Sequence, residues 1–361
     1  MHKVTSCNKC TRSLDDKKAD HIKRQVVEVE IKTVVIEHQA EVKRCPCGHK
    51  NIAQFPEGIN APVQYGNSIG ALAINFTNQF IPAKRTAELL EDLLGIPMSD
   101  TTVLNFQSAV ARNLLPIYQK IEQTLKDGGI KYFDETGFRI KGKTEWLHVM
   151  SSPALTHYRI GKRGSLLEEV SGIVVHDHWK SYFKMPDVEH ALCNAHHLRE
   201  LKAILEFDGE AWAPLMSELL LLANDFSKKQ PSGAIDHIYE LYDQIIGLGF
   251  HFHQTLPPLE SGGTRGRKKQ RDGYNLLVRL RDFKKETLRF LTDHLVPFTN
   301  NLAEQDLRMM KVKQKVSGCF RTEQGALEFA IIRSFASSAR KQGLNIFHAL
   351  SRAFRGPVYS F

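Results

Sequence analysis

The sequence predicts an α/β core interrupted by a helical insertion and preceded by a small cysteine-bearing β module and a helical region. Three observations carry that prediction. Strand-like runs cluster between residues 130 and 193, with helical texture on both sides. Acids close two of those runs, at Asp134 and Asp177. Four of the six cysteines crowd into the first 47 residues. The expected division is 1–60 for the cysteine module, 61–128 for the helical region, 129–197 with 292–361 for the core, and 198–291 for the insertion.

The module comes first. "CNKC" and "CPCGH" bracket "QVVEVEIKTVVIEHQAEVKR", whose β-branched alternation predicts a hairpin. Two cysteine knuckles joined by strands read as a small zinc ribbon, ligated by Cys7, Cys10 and Cys45 with Cys47 or His49. Short cysteine spacing in a reducing compartment points to metal rather than disulfides.

From Tyr65 the texture is helical. "RTAELLEDLLG", "IPMS" and "DTTVLNFQSAVARNLL" read as two helices joined by a short turn, with Gly95 closing the first and Ser99 or Asp100 capping the second. The pair is either a helix-turn-helix or a plain helical hairpin. In the first case polar Thr101, Thr102, Asn105 and Gln107 reach bases.

The core follows. "IKYFDET", "TEWLHVMSS" and "LTHYRI" read as three strands, "SLLEEV" as a short helix, and "GIVVHDHW" and "HALC" as two more strands. Helices run from Asn194 to about Leu291, broken by the basic loop "SGGTRGRKKQRDG". A further helix, "LAEQDLRMMKVKQKV", follows "VPFTNN", and a last helical stretch runs from about Gln324 to Arg355.

Three strands, a helix, two strands and then helices is the order of a ribonuclease H-like core. In that fold the first and fourth strands lie side by side and a later helix closes over them. The first strand is expected to end on Asp134, the fourth on Asp177, and the helix after "TNN" presents Glu304. Three carboxylates so placed suit phosphodiester chemistry. Two hard divalent ions, Mg²⁺ or Mn²⁺, activate the nucleophile and stabilise the leaving oxygen, and hard ions prefer carboxylate oxygen. Each acid taken singly has a plainer role, as a turn acid or a first-turn helix acid; the strand order joins them.

The chain resembles the DDE transposases of the insertion sequence 66 family. The resemblance rests on "FDETG", on "HDHWKSYF" followed by "HALCNAHHLREL", and on "VPFTNNLAEQDLRMMKVKQKVSGCFRT". It implies that Asp134, Asp177 and Glu304 are the catalytic triad, that a helical insertion separates the second acid from the third, and that a zinc-finger-like module lies at the N-terminal side. It also implies binding to transposon ends and target DNA, homo-oligomeric assembly on paired ends, and small accessory proteins encoded by the element. Family members commonly carry a coiled-coil-like helix before the zinc module, whereas this chain starts almost at Cys7. A shortened, non-catalytic DNA-binding remnant or regulator is therefore the alternative. A nuclease without strand transfer and a zinc hydrolase built on the His-rich segments are more distant ones.

Charge agrees with a nucleic-acid partner. The net charge is +9, and Arg308, Lys311, Lys313, Lys315 and Arg321 follow Glu304 directly. They are expected either to hold DNA phosphates or to form a solvated helix face. Cys193 and His196 are expected to have a structural role at a strand-to-helix corner, with His197 and Arg199 facing DNA. No apolar run approaches the about 18 residues of a membrane span, and "MHKVTSCNKC" carries no apolar signal segment. A cytoplasmic location is the default expectation.

Overall fold

A computed structural model describes residues 2–165, 169–229, 235–259 and 270–361. The middle of the expected "SLLEEV" helix and most of the basic loop from Ser261 lie outside the described residues.

The N-terminal segment departs from the expected hairpin. Residues 25–40 form no strand, and Val26, Val27, Val34 and Val35 are exposed. Alternating β-branched residues favour a strand only where one face has something to pack against, and among the described residues nothing covers these valines. The two short strands of this region, β1 (Val42–Arg44) and β2 (Lys50–Ile52), instead pair across Cys45–His49.

Three helices follow: α1 (Asn67–Asn78), α2 (Ala83–Leu94) and α3 (Asp100–Lys126). Gly95 closes α2 in the left-handed conformation, and the Ser99 hydroxyl caps α3 by accepting from the Thr102 amide at 3.1 Å. Beyond its first turns α3 is a core helix. Val110, Leu114, Ile117, Ile121 and Leu125 are buried, sharing one apolar cluster with Phe133, Met150 and Val174 of the sheet.

The sheet comprises β3 (Ile130–Ile140), β4 (Lys143–Ser151), β5 (Thr156–Gly161), β6 (Gly172–His176) and β7 (Val188–Leu192). Its spatial order is β5-β4-β3-β6-β7. The first three strands are antiparallel, while β6 and β7 run parallel to β3. β3 does not end at Asp134, as expected, but continues to Ile140. Thr136, Phe138 and Ile140 keep the inward alternation, and Lys141 and Gly142, both at positive φ, make the two-residue turn into β4.

The register positions the acids. β3 pairs with β6 from Ile130↔Ile173 to Tyr132↔Val175, and no further. Asp134 and Asp177 each lie two residues beyond that last pair, where β6 leaves the sheet and opens a notch beside β3.

After β7 come the insertion helices α4 (Asn194–Asp208), α5 (Trp212–Lys229), α6 (Ile235–Thr255) and α7 (Asp272–Asp282), with two one-turn pieces, α8 (Lys284–Thr287) and α9 (Arg289–Thr292). Their core joins Trp212, Met216, Leu220, Tyr242 and Leu277 to Val175 and Ala191 of the sheet. The chain then enters α10 (Asn301–Ser317), α11 (Glu323–Lys341) and α12 (Ile346–Ala353). The expected last stretch is thus two helices, separated at Gly343, which has φ +74°. α10 packs on the Asp134 face of the sheet through Ala303, Leu307 and Met310, against Phe138, Leu147 and Val149. α3 covers the opposite face, and α11 packs between α3 and the edge strand β5. The α11 Ser334 and Ser338 hydroxyls accept from the Tyr158 and Thr156 amides, both at 2.9 Å, so the outer edge of β5 is not left open.

Candidate active site

Asp134 points to the α10 face, because side chains alternate along β3 and Tyr132 and Phe138 share that face. Its Oδ1 accepts from the Glu135 amide at 2.8 Å. Asp177 follows β6 and is fixed by the Trp179 amide, which donates to its Oδ1 at 2.9 Å. Glu304 sits in the first turn of α10, where the helix dipole favours a carboxylate. Asn300 ties these segments together. Its side-chain amide donates to the carbonyl of Phe133 at 2.7 Å, its own amide donates to Cys193 Sγ at 3.1 Å, and its carbonyl accepts from Glu304 N at 3.2 Å.

Asp134 feels the charges of both other acids. Burial pushes the Asp134 carboxyl up to about 7, and the charges of Asp177 and Glu304 add to the rise against the opposing Glu135 amide. Burial also raises Asp177, opposed by the Trp179 amide and by His196. Such a cluster of like charges in a partly dry notch is costly without a counter-charge.

Glu135 faces the other way and has a different task. His148 Nδ1 lies 3.2 Å from its carboxylate, the Gly164 amide donates to it at 3.1 Å, and Arg163 Nε lies at 3.5 Å. Burial alone would raise this acid, but the His148 and Gly164 hydrogen bonds hold it below the usual carboxylate value. Arg163 in turn stacks on Trp179 at 3.9 Å and on Trp146 at 4.6 Å. Neighbouring acids on one strand are thus driven in opposite directions.

The β7–α4 corner borders Glu304. Cys193, buried, has its Sγ 3.7 Å from Glu304 Oε1, and burial pushes its thiol up to about 11. His196 Nδ1 lies 3.8 Å and Arg199 Nη2 3.9 Å from the same oxygen. His197 does not face outward as expected. It is 2 % exposed, its Nδ1 pairs with Asn194 Oδ1 at 3.1 Å, and burial lowers its pKa to about 3. One residue along the helix decides this: position 197 falls on the buried face with Leu201 and Ile204.

Among the basic residues, Arg308, Lys311 and Lys315 follow Glu304 by four, seven and eleven positions. That spacing is one stripe of an α-helix, and all three are exposed. Arg321 is exposed beyond the helix end. Lys313 departs from the expected group. It lies off the stripe, with its ammonium 3.3 Å from Ser317 Oγ and 5.5 Å from the Phe320 ring, and burial lowers its pKa.

In the N-terminal segment Cys7 neighbours Cys10, and Cys47 neighbours Cys45, all four as free thiols. Backbone amides of Lys9 and Cys10 lower the Cys7 pKa, and the His49 amide does so for Cys47. Among the described residues the two pairs are not gathered into one ligand group; the group of three or more that does converge is Cys193, His196 and Glu304.

The sequence profile of the transposase IS66 family matches residues 62–328, most of the chain. The chain belongs to the transposase IS66 family. Curated proteins give no match. Asp134, Asp177, Glu304 and the basic stripe all lie inside the matched range of this IS66-family transposase, and Cys7 to His49 lie before it. DNA is the partner such a family implies. No described helix is long and apolar enough to cross a membrane.

Proposed function

We propose that this chain is a DDE transposase that binds the terminal inverted repeats of an insertion sequence, cleaves there and transfers the strand to target DNA. The reading is supported by Asp134 on β3, Asp177 just past the end of β6 and Glu304 in the first turn of α10, with the charges of the latter two adding to the burial that raises Asp134. The strand order β5-β4-β3-β6-β7, with its antiparallel half and parallel half, supports a ribonuclease H-like core. The presence of all three acids at the expected positions favours an enzyme over a non-catalytic remnant.

The donors fit Mg²⁺ or Mn²⁺: they are carboxylate oxygens, and Asp134 is raised first by burial and then by its acidic neighbours, with no cation among the described residues beside it to offset them. Asp134, Asp177 and Glu304 would hold the ions, which when bound supply nucleophile activation and leaving-group stabilisation. The chain's own part is positional. The amides of Glu135 and Trp179 and the bridge through Asn300 fix where the carboxylates point. Arg308, Lys311 and Lys315, with Arg321 beyond, would hold backbone phosphates of the scissile strand without reading bases. Residues 1–60 would form a zinc-ribbon-like module, since amides aimed at the Cys7 and Cys47 sulfurs suit thiolate ligands. The helical region 61–128, the core 129–197 with 292–361 and the insertion 198–291 complete the assignment, with homo-oligomeric assembly on paired DNA ends, element-encoded accessory proteins and a cytoplasmic location.

The test is cleavage of DNA carrying the element's ends, in Mg²⁺. Asp134→Asn and Asp177→Asn should each lower it by several orders of magnitude while leaving DNA binding intact. Full activity in Asp177→Asn sinks the proposal.

A further inference from the structure

The β7–α4 corner carries two donors that carboxylate chemistry leaves without a task. Cys193 is 1 % exposed, and its position is set from two sides: its amide donates to the His176 carbonyl at 2.9 Å and its Sγ accepts from the Asn300 amide at 3.1 Å. His196, one turn on, faces the same way, since residues three apart share a helix face. Its Nδ1 is buried as an atom yet has no hydrogen-bond partner. Both aim at one oxygen, Glu304 Oε1, from 3.7 Å and 3.8 Å. One donor atom from each of the three residues lies within 4.8 Å of the others.

These lengths have a meaning in coordination chemistry. Zn–S near 2.3 Å and Zn–N or Zn–O near 2.0 Å, at tetrahedral angles, put neighbouring donors about 3.3–3.5 Å apart. The separations from Glu304 Oε1, 3.7 Å to Cys193 Sγ and 3.8 Å to His196 Nδ1, exceed that by about half an ångström or less, and the Cys193 and His196 donors lie within 4.8 Å of each other. Arg199, the cation nearest Glu304, has a side chain 63 % exposed and is free to swing aside.

We propose that Cys193, His196 and Glu304 form a binding site for a thiophilic divalent cation of the Zn²⁺ class, three-liganded with a fourth position open, and that its occupancy takes Glu304 away from the hard ions. Zinc accepts sulfur, nitrogen and oxygen together, whereas Mg²⁺ demands oxygen. One carboxylate thus stands between two ions of different softness. Binding requires the thiolate, so the Cys193 proton passes to solvent as the metal enters. The binding claim stands on these three residues alone; its consequence for cleavage rests on the proposed transposase activity.

Cobalt(II) and zinc titrations of the reduced full-length chain test it. Cys193→Ser and His196→Gln should each bind one equivalent less than the wild type, and Cys193→Ser should also lose part of the thiolate-to-cobalt absorption. Cys10→Ser should leave this equivalent in place. His196→Gln guards against misfolding, because its Nδ1 has no hydrogen-bond partner among the described residues. Where DNA cleavage in Mg²⁺ is present, added zinc should inhibit it, and His196→Gln should need at least about tenfold more zinc for the same fractional inhibition. Equal metal equivalents in the wild type and both variants overturn the site. A missing equivalent in the variants, with no cleavage by the wild type, keeps the site and removes the transposase reading instead.

Discussion

Asp134→Asn should make the metal-free protein more stable, and by more at alkaline than at acid pH. The Asp134 carboxyl is raised from 3.8 to about 7, first by burial and then by Asp177 and Glu304. A raised folded-state value means that the folded chain holds this proton more tightly than the unfolded chain. The group's stabilising contribution is therefore complete below about 3.8 and is lost as pH climbs through about 7. At 1.36 kcal/mol per pH unit, that span sets a ceiling of ~4 kcal/mol on the cost of the charged side chain near pH 8. Partial solvation of the notch lowers the expected gain to about 1–3 kcal/mol. Asparagine keeps the shape and removes the charge. Urea denaturation of the wild type and the variant, in chelator, near pH 8 and again near pH 5, measures it. The variant should gain most near pH 8 and less than half as much near pH 5, because only about 1.2 of the roughly 3.2 pH units between the unfolded and folded values lie below pH 5. Mg²⁺ should then stabilise the wild type more than the variant. A variant no more stable than the wild type near pH 8, or a gain independent of pH, refutes the account of Asp134 as an uncompensated ligand.

Glu135→Gln should behave oppositely to its neighbour: stability falls by ~1–2 kcal/mol as the His148 and Arg163 pairing weakens, while cleavage per folded molecule survives, and equal loss of cleavage at Asp134 and Glu135 contradicts this. The buried histidines His157, His176 and His197, each lowered to about 3, and His178, lowered to about 4, must stay neutral to fold. Their contribution is complete above about 6.5 and is lost as pH falls toward those values, by ~2 kcal/mol each near pH 5, so a urea midpoint that stays flat between about pH 6.5 and 4.5 argues against their burial. DNA affinity should fall steeply with salt, and Lys311→Ala or Lys315→Ala should reduce the log–log slope by about 1, whereas Lys313→Ala should leave the slope alone and lower stability. Metal analysis should find zinc that Cys7→Ser or Cys45→Ser removes from the N-terminal module; zinc content unchanged by either substitution rules the knuckles out as ligands.

Much of the fold was legible because local chemistry and global position agreed. Gly95 and Ser99 bound their helices through backbone conformation and a hydroxyl, both of which are local. The order of strand-like runs translated directly into the sheet. The failures came where a side chain's surroundings decide its state. The valines between residues 25 and 40 alternate well for a strand, yet alternation stabilises nothing without a face to bury. Lys313 looks identical to Lys311 and Lys315 in a charge run, and only the phase of α10 turns it toward Phe320. His196 and His197 are chemically indistinguishable in "NAHH", but one borders Glu304 and the other sits in the core.

Asn300 shows the limit most clearly. In "TNN" it reads as an ordinary residue before a helix. In the fold its amide groups reach the strand carbonyl next to Asp134 and the sulfur of Cys193, and its carbonyl receives the Glu304 amide. The three segments bearing the acids and the thiol are far apart in sequence, so no local pattern could reveal that one buried amide spans them. Its Oδ1 remains buried and unpartnered among the described residues, an expensive arrangement for a residue that merely caps a helix. Asparagine supplies here what few side chains can: a donor for the β3 carbonyl on a stem short enough to remain at the helix start. Rigid placement of the carboxylates therefore depends on a residue that carries none of their chemistry, and this is why geometry was needed to find it.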